Sequence, residues 1–358
     1  MSTAIGPNMF ERGRIAIRTM LIVLVCLTVF GGIKYIQSKG SVTIDSGFRP
    51  VMGTFVHIIA VTGDSETAQK SIKAAFNQIV HIDKLMSDYK PDSELSTVNK
   101  KAFKNPVTIS DSLFEVLSRS IEFSKKTDGA FDITVGPLVD LYHKAGEQGV
   151  APTEDEIAAA KAKAGFAKLI LDEQNKTVKF AVDGMRLDLG GIGKGYAVDK
   201  AVEAMRNCGA LGGLVALAGD IRVFGSPPKD KNSWMVGVQD PDKLSDSMEN
   251  AQTVFVLHLK DMAVSTSGDY RRFTVIAGEK YNHIIDSKAG TGSRNFASVT
   301  VIAPSATDAD ALATAVSVMG VERGLELIKS VPQADAILIP SQNHQKIIKT
   351  EGVGKYLQ

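Results

Sequence analysis

The chain has 358 residues, 44% hydrophobic and 23% charged, with a formal net charge of +1. These proportions are those of ordinary globular proteins and point to neither disorder nor a repeat architecture. The balanced charge, with no long Lys/Arg run, gives no support for nucleic-acid binding, and the two cysteines, Cys26 and Cys208, imply neither a disulfide framework nor a zinc site.

In chain order, the N-terminus departs first from the average. "ERGRIAIRTMLIVLVCLTVFGGIKYIQSKG" places Arg12, Arg14 and Arg18 before an uncharged apolar run from Thr19 to Ile33, with Lys34 after it. The run is shorter than the roughly 20 residues of a spanning helix, although Arg18 and Lys34 can snorkel to the two interfaces. A secretory signal peptide fits the same length and flanking charge, but "VFGG" is only a loose cleavage site. The expectation is an uncleaved N-terminal apolar helix: a short cytoplasmic tail (1–18), a membrane anchor or signal segment (19–37), and an exported domain (42–355).

The exported part mixes strands and helices without a repeat. "RPVMGTFVHIIAV" reads as a strand after Gly53. In "SETAQKSIKAAFNQIVHIDKLMSDY", Ile72, Phe76, Ile79, Ile82 and Met86 recur at helical spacing. "SDSLFEVLSRSIEFSKKTDG" is a helix opened by a Ser or Asp cap and closed near Gly129, and "TEDEIAAAKAKAG" a short helix with an acidic start. "TDGAFDITVGP" reads as a helix end followed by a buried strand. "KLILDEQNKTVKF" reads as two strands about a turn, and "MRLDLGGIGKGYAVDKAVEAM" as a strand passing through a glycine-rich turn into a helix. "GGLVALAGDIRVFG", "TVFVLHLK", "MAVSTSG", "YRRFTVIAG", "NHIIDS", "FASVTVIAP" and "ADAILIPS" are strand candidates, with helices at "DADALATAVSVMG" and "ERGLELIKS". The fold class is α+β, one compact domain with mixed, largely antiparallel strands and packed helices.

Several stretches are suited to chemistry. Asp310 and Thr314 are four apart, so a helix puts both on one face, where two oxygens can hold a hard cation. The same pair also fits a first-turn carboxylate and a hydroxyl bonded back to the preceding turn. Glycines 190, 191, 193 and 195 bare the backbone between an extended segment and a helix, a setting for phosphate or for plain tight packing. The spacing matches neither the P-loop nor the dinucleotide fingerprint. "STSGDYRRF" and "YNHIIDSKAGTG" gather Arg271, Arg272, His283 and Asp286, and a histidine between an arginine pair and an acid suits a base near phosphate.

Together, "MGT", "MSDYKPDSELS", "DGAFDITVGPLV", "LDLGGIGKGYAVD", "LAGDI", "VSTSGDYRR", "HIIDSKAG" and "ADALATA", in this order, resemble the FAD:protein FMN transferases of the ApbE family. The resemblance implies an enzyme that binds FAD with Mg²⁺, moves the FMN half onto a threonine hydroxyl of an acceptor flavoprotein, and releases AMP. By position it implies cofactor contacts at Met52, Tyr89, Ala130, Phe131, Asp132, Gly190, Lys194, Ser267, His283 and Ile284. Metal ligands fall on the Gly193 carbonyl and on the side chains of Asp310 and Thr314. His283 is then the expected base, with Asp132 and Asp286 behind it.

This chain departs from the family pattern at Gly193, where alanine is frequent, and at Ser287 and Ala289, where proline and threonine are usual. The metal positions and His283 are kept. The implied partners are FAD, acceptor subunits of membrane electron-transport complexes, and the bacterial inner membrane, with the catalytic domain in the periplasm and no nucleic acid. An FAD pyrophosphatase yielding FMN and AMP, or a non-catalytic periplasmic FAD-binding protein, would use the same site.

Overall fold

The computed structural model describes residues 36–38, 41–229, 231–243, 252–268 and 273–357. The expected cytoplasmic tail (1–18), the apolar run from Thr19 to Ile33, and Arg271 and Arg272 lie outside the described residues. No helix among the described residues is long and apolar enough to cross a membrane.

Among the described residues, nine strands make the central sheet: β1 (Ile36–Ser38), β2 (Ser41–Val51), β3 (Thr54–Thr62), β4 (Gly212–Leu217), β5 (Asp220–Gly225), β6 (Ala263–Gly268), β7 (Phe296–Ala303), β8 (Asp335–Pro340) and β9 (Ile348–Lys349). They lie side by side in chain order. Every neighbouring pair is antiparallel. Local turns set part of this order. Val51 pairs with Thr54 across Met52 (φ 51°) and Gly53 (φ 66°), a two-residue connection whose left-handed backbone matches the twist of the strands it joins.

Among the described residues, eight helices complete the α+β fold: α1 (Ser65–Met86), α2 (Glu94–Lys101), α3 (Asp111–Lys126), α4 (Gly136–Gln148), α5 (Glu154–Lys163), α6 (Gly193–Asn207), α7 (Ala306–Met319) and α8 (Val321–Lys329). The first six are inserted between β3 and β4, the last two between β7 and β8. Local chemistry starts them: Asp64 caps α1 by accepting from Thr67 N, and Thr153 and Glu156 form a reciprocal capping box on α5.

Residues of alternate parity send the sheet into two cores. Val56, Ile58, Val215, Leu217, Val299 and Val301 join the helices, whereas Ile59, Val61, Leu214, Ala216, Val223 and Ile302 join a second core. That second face is covered by the hairpin Trp234–Gln239/Thr253–Leu259 and by Val353 and Tyr356 near the C-terminus. With both faces covered, β7 is buried at every position, where a half-solvated antiparallel strand would alternate.

Two local readings are corrected. "DITVGP" does not run into a strand. Asp132 caps a single 3₁₀ turn (Ile133–Val135), and Pro137, in the first turn of α4, needs no donor there, so the chain enters a helix. "MRLDL" is not a strand either. Its Leu187 backbone exchanges both hydrogen bonds with the Asn99 side chain (2.8 and 3.0 Å), which stands where a neighbouring strand would be.

Candidate functional site

The site forms where α6 and α7 meet above one end of the sheet. Helix α6 opens on Gly193 with Ile192 as its N-cap residue, and no side chain of that cap serves the free N–H groups. Asp310 of α7 serves them instead: its Oδ2 accepts from Gly195 N at 3.1 Å. A glycine is required at 195, because a Cβ would lie 2.3 Å from the Ala306 carbonyl oxygen and 2.9 Å from Asp310 Cβ. Gly191 is pressed against Thr314 in the same way, its Cβ position lying 2.8 Å from Thr314 Oγ1. The glycine loop and the Asp310/Thr314 face of α7 are thus in contact.

The bland alternative for each residue makes a contact that can be looked for. The first-turn acid of α7 is Asp308, which pairs with Arg119. Asp310 is 3% exposed and turns to the glycine loop. Ser317 bonds back to the Ala313 carbonyl at 2.8 Å, but the Thr314 hydroxyl makes no such bond. Among the described residues, Thr314 Oγ1 and Asp310 Oδ1 have no hydrogen-bond partner, and they sit beside the bared backbone of the loop.

Charge focuses on the same spot. Lys194 Nζ lies 3.1 Å from Asp220 Oδ2, 3.5 Å from Asp310 Oδ2 and 3.1 Å from the Gly190 carbonyl. Asp220 is 2% exposed and accepts from Ser265 Oγ at 2.5 Å. Two buried carboxylates therefore share one ammonium. Burial first, and then repulsion from Asp220, push the Asp310 carboxyl up to about 7. A further positive charge would relieve both. One carboxylate, one hydroxyl and a loop carbonyl are hard oxygen donors that suit Mg²⁺, which fills its remaining positions with water and nucleotide phosphates. Among the described residues no three His, Cys, Asp or Glu gather as a metal cluster, so such a site depends on mixed donors of this kind.

The other motifs form the rim. Asp188 N donates to the Ile133 carbonyl (2.7 Å), and Arg186 bridges to Asp88 (2.7 Å), bringing the segments of Asp132 and Tyr89 to the glycine loop. Ser287 Oγ donates to the Gly129 carbonyl (3.1 Å), joining the His283 segment to the Asp132 segment. Ser293 N donates to the Ile284 carbonyl at 2.8 Å, and Ser293 Oγ bonds the Ser317 carbonyl, one turn beyond Thr314. The Met52–Gly53 turn and Ser267 near the end of β6 lie at the same end of the sheet, linked through Phe55–Ala218 and Gly219–Thr266 backbone bonds.

Individual residues differ in what they offer. His283 is exposed in the turn between Glu279–Asn282 and Ile285–Asp286, whereas Tyr89 is 81% exposed. Phe131 is 2% exposed and packs edge-on against Phe123 within the core. Asp132 is committed as well: Oδ1 accepts from Thr134 N and Oγ1 (2.8 and 2.7 Å), and Oδ2 from Phe166 N (3.0 Å). Asp286 holds its own turn by accepting from Lys288 N and Ala289 N. Sequence reasoning did not single out Asp220 or Ser265. The signal was present in "LAGDI" and "VSTSG", but only the β5–β6 register, which pairs Asp220 with Ser265, turns them into one feature.

Known proteins resemble this chain over most of its length. A family model described as the ApbE family matches residues 52–338. The chain is 32% identical over 303 residues to an FAD:protein FMN transferase of Haemophilus influenzae, covering 82% of this chain and 85% of that one. It is 34% identical over 284 residues to the Escherichia coli K12 protein of the same name, covering 78% and 79%. Among solved structures, an ApbE protein of Thermotoga maritima superposes with a TM-score of 0.77 at 29% identity, over 88% of this chain and 99% of that one. The flavin transferase ApbE of Vibrio cholerae superposes with a TM-score of 0.74 at 28% identity, over 88% and 100%. On the span of the family match and the extent of these relatives, the chain belongs to the ApbE family.

Proposed function

We propose that this protein transfers the FMN half of FAD to a threonine hydroxyl of an acceptor protein and releases AMP. The observation that carries this reading is the junction of the glycine loop with α7, where Asp310 and Thr314 face bared backbone beside Lys194 and Asp220. Its relatives from Haemophilus influenzae and Escherichia coli are named FAD:protein FMN transferase.

In this reading the Gly193 carbonyl, Asp310 and Thr314 hold Mg²⁺, and the remaining residues of the junction act around it. An ion held there would supply charge neutralisation on the pyrophosphate. Lys194, held by Asp220 and Asp310, keeps the carboxylates in place and adds positive charge at the loop. The glycine loop admits the phosphates close to the backbone because no side chains intervene. His283 takes the proton of the acceptor hydroxyl. The hydroxyl oxygen bonds to the phosphorus of the FMN half, the bond from that phosphorus to the bridging oxygen breaks, and AMP leaves with that oxygen. The acceptor is a subunit of a membrane electron-transport complex, and the N-terminal apolar segment anchors the protein in the inner membrane with this domain on the periplasmic side.

The test is direct. The protein is incubated with FAD, Mg²⁺ and a threonine-bearing acceptor domain, and covalent flavin fluorescence is read on a denaturing gel. A labelled acceptor is expected. Free FMN without label would assign a pyrophosphatase, and unchanged FAD a binding protein.

A further inference from the structure

The two helices that make the junction cap each other. Asp310 of α7 accepts from the N-terminus of α6, and Asp199 of α6 accepts from the N-terminus of α7. Asp199 does so with every lone-pair direction used. Its Oδ1 accepts from Ala306 N (2.9 Å) and Arg222 Nη1 (2.6 Å), and its Oδ2 from Thr307 N (2.9 Å) and Thr307 Oγ1 (2.6 Å). Arg222 stands on β5 two residues after Asp220. Its Nε is buried with no partner among the described residues, so Asp199 is what holds that guanidinium. The clamp therefore ties together the three elements that carry Gly193, Asp310 with Thr314, and Asp220. It does so without taking either of the uncommitted oxygens, Asp310 Oδ1 and Thr314 Oγ1.

We propose that Asp199 is a positioning residue for the divalent ion: it sets the spacing between the glycine loop and the Asp310/Thr314 face, and with it the affinity for Mg²⁺, while touching neither ion nor nucleotide. Groups that orient metal ligands from behind commonly govern affinity about 10–100-fold. The inference rests on the metal reading above, and the experiment separates the two.

FAD binding is followed by flavin fluorescence polarisation during Mg²⁺ titration, with no acceptor present, in the wild-type protein, D199A, D199N and D308A. Asp308 is the control, because it lies in the first turn of the same helix and loses an ion pair with Arg119 when replaced. The half-saturating Mg²⁺ concentration is expected to rise at least about tenfold in D199A, less in D199N, which keeps one acceptor oxygen, and not at all in D308A. At saturating Mg²⁺ and FAD, kcat for transfer by D199A returns to near the wild-type value. A folded D199A with wild-type Mg²⁺ dependence overturns the inference, as does an equal shift in D308A, which would make the effect general loosening of α7. If D199A does not fold, D199N decides by the same criterion. Wild-type FAD binding that ignores Mg²⁺ overturns the metal reading itself, and this inference with it.

Discussion

Gly195 and Ala306 approach so closely that no side chain fits between them: a Cβ on residue 195 would stand 2.3 Å from the Ala306 carbonyl oxygen. That contact lets the Gly195 N–H reach Asp310, so close helix packing and the chemistry of the site are one feature. Gly195→Ala must separate the helices. It is expected to lower the unfolding free energy in urea by about 1–3 kcal/mol and to reduce flavin transfer. Gly63→Ala, where nothing lies within 4 Å of the added carbon, should stay within about 0.5 kcal/mol of wild type. Equal behaviour of the two variants would contradict the packing argument.

Asp310 accepts from Gly195 N and is the proposed carboxylate ligand of the metal, and substitution can separate the two roles. Asp310→Asn keeps an oxygen for Gly195 N but gives up the charge, whereas Asp310→Ala gives up both. Both are expected to lose transfer by about two orders of magnitude or more, as removal of Mg²⁺ with EDTA should. Only the alanine variant should also lose about 1 kcal/mol of stability, the usual worth of a helix cap. Full activity of either variant, or of wild type in EDTA, would remove the metal from the mechanism.

The sequence carried the helices best where apolar spacing and capping agreed. The stretch from Ser65 to Met86 is a helix with Ile72, Ile79, Ile82 and Met86 buried, as their spacing implies. The helix drawn over Asp308 to Gly320 is present from Ala306 to Met319. Illegible features depend on contacts distant in sequence. The Asn99 side chain replaces a strand beside Leu187, and the Trp234–Gln239 strand follows a polar loop that masks it. The motif order identified the family, yet the reciprocal caps of Asp199 and Asp310 join residues more than a hundred positions apart and leave no local pattern.

His283 stands exposed at the rim, in a segment tied to both the Asp132 turn and the end of α7. In the proposed transfer it takes the acceptor proton, a role that bears on turnover and little on the hold on FAD. His283→Ala is expected to slow transfer about 10²–10⁴-fold while leaving Mg²⁺-dependent FAD binding within about threefold of wild type, a change under 1 kcal/mol. A wild-type rate in the variant would exclude this residue as the base.

Asp132 gives the contrasting case. Burial raises its carboxyl above the ordinary value, and hydrogen bonds from Thr134 and Phe166 only partly offset that. A folded value above the unfolded one, about 3.9, means that the ionised side chain costs stability. The cost is absent below the unfolded value and grows as pH rises through the folded one. Asp132→Asn does not titrate. The difference in unfolding free energy between variant and wild type, measured in urea at pH 4 and pH 7, should therefore move in favour of the variant at pH 7. Since both oxygens serve the turn, the variant should keep transfer activity far closer to wild type than the roughly 10²-fold minimum that loss of a general base costs. A loss as large as that of His283→Ala would make Asp132 a proton acceptor after all.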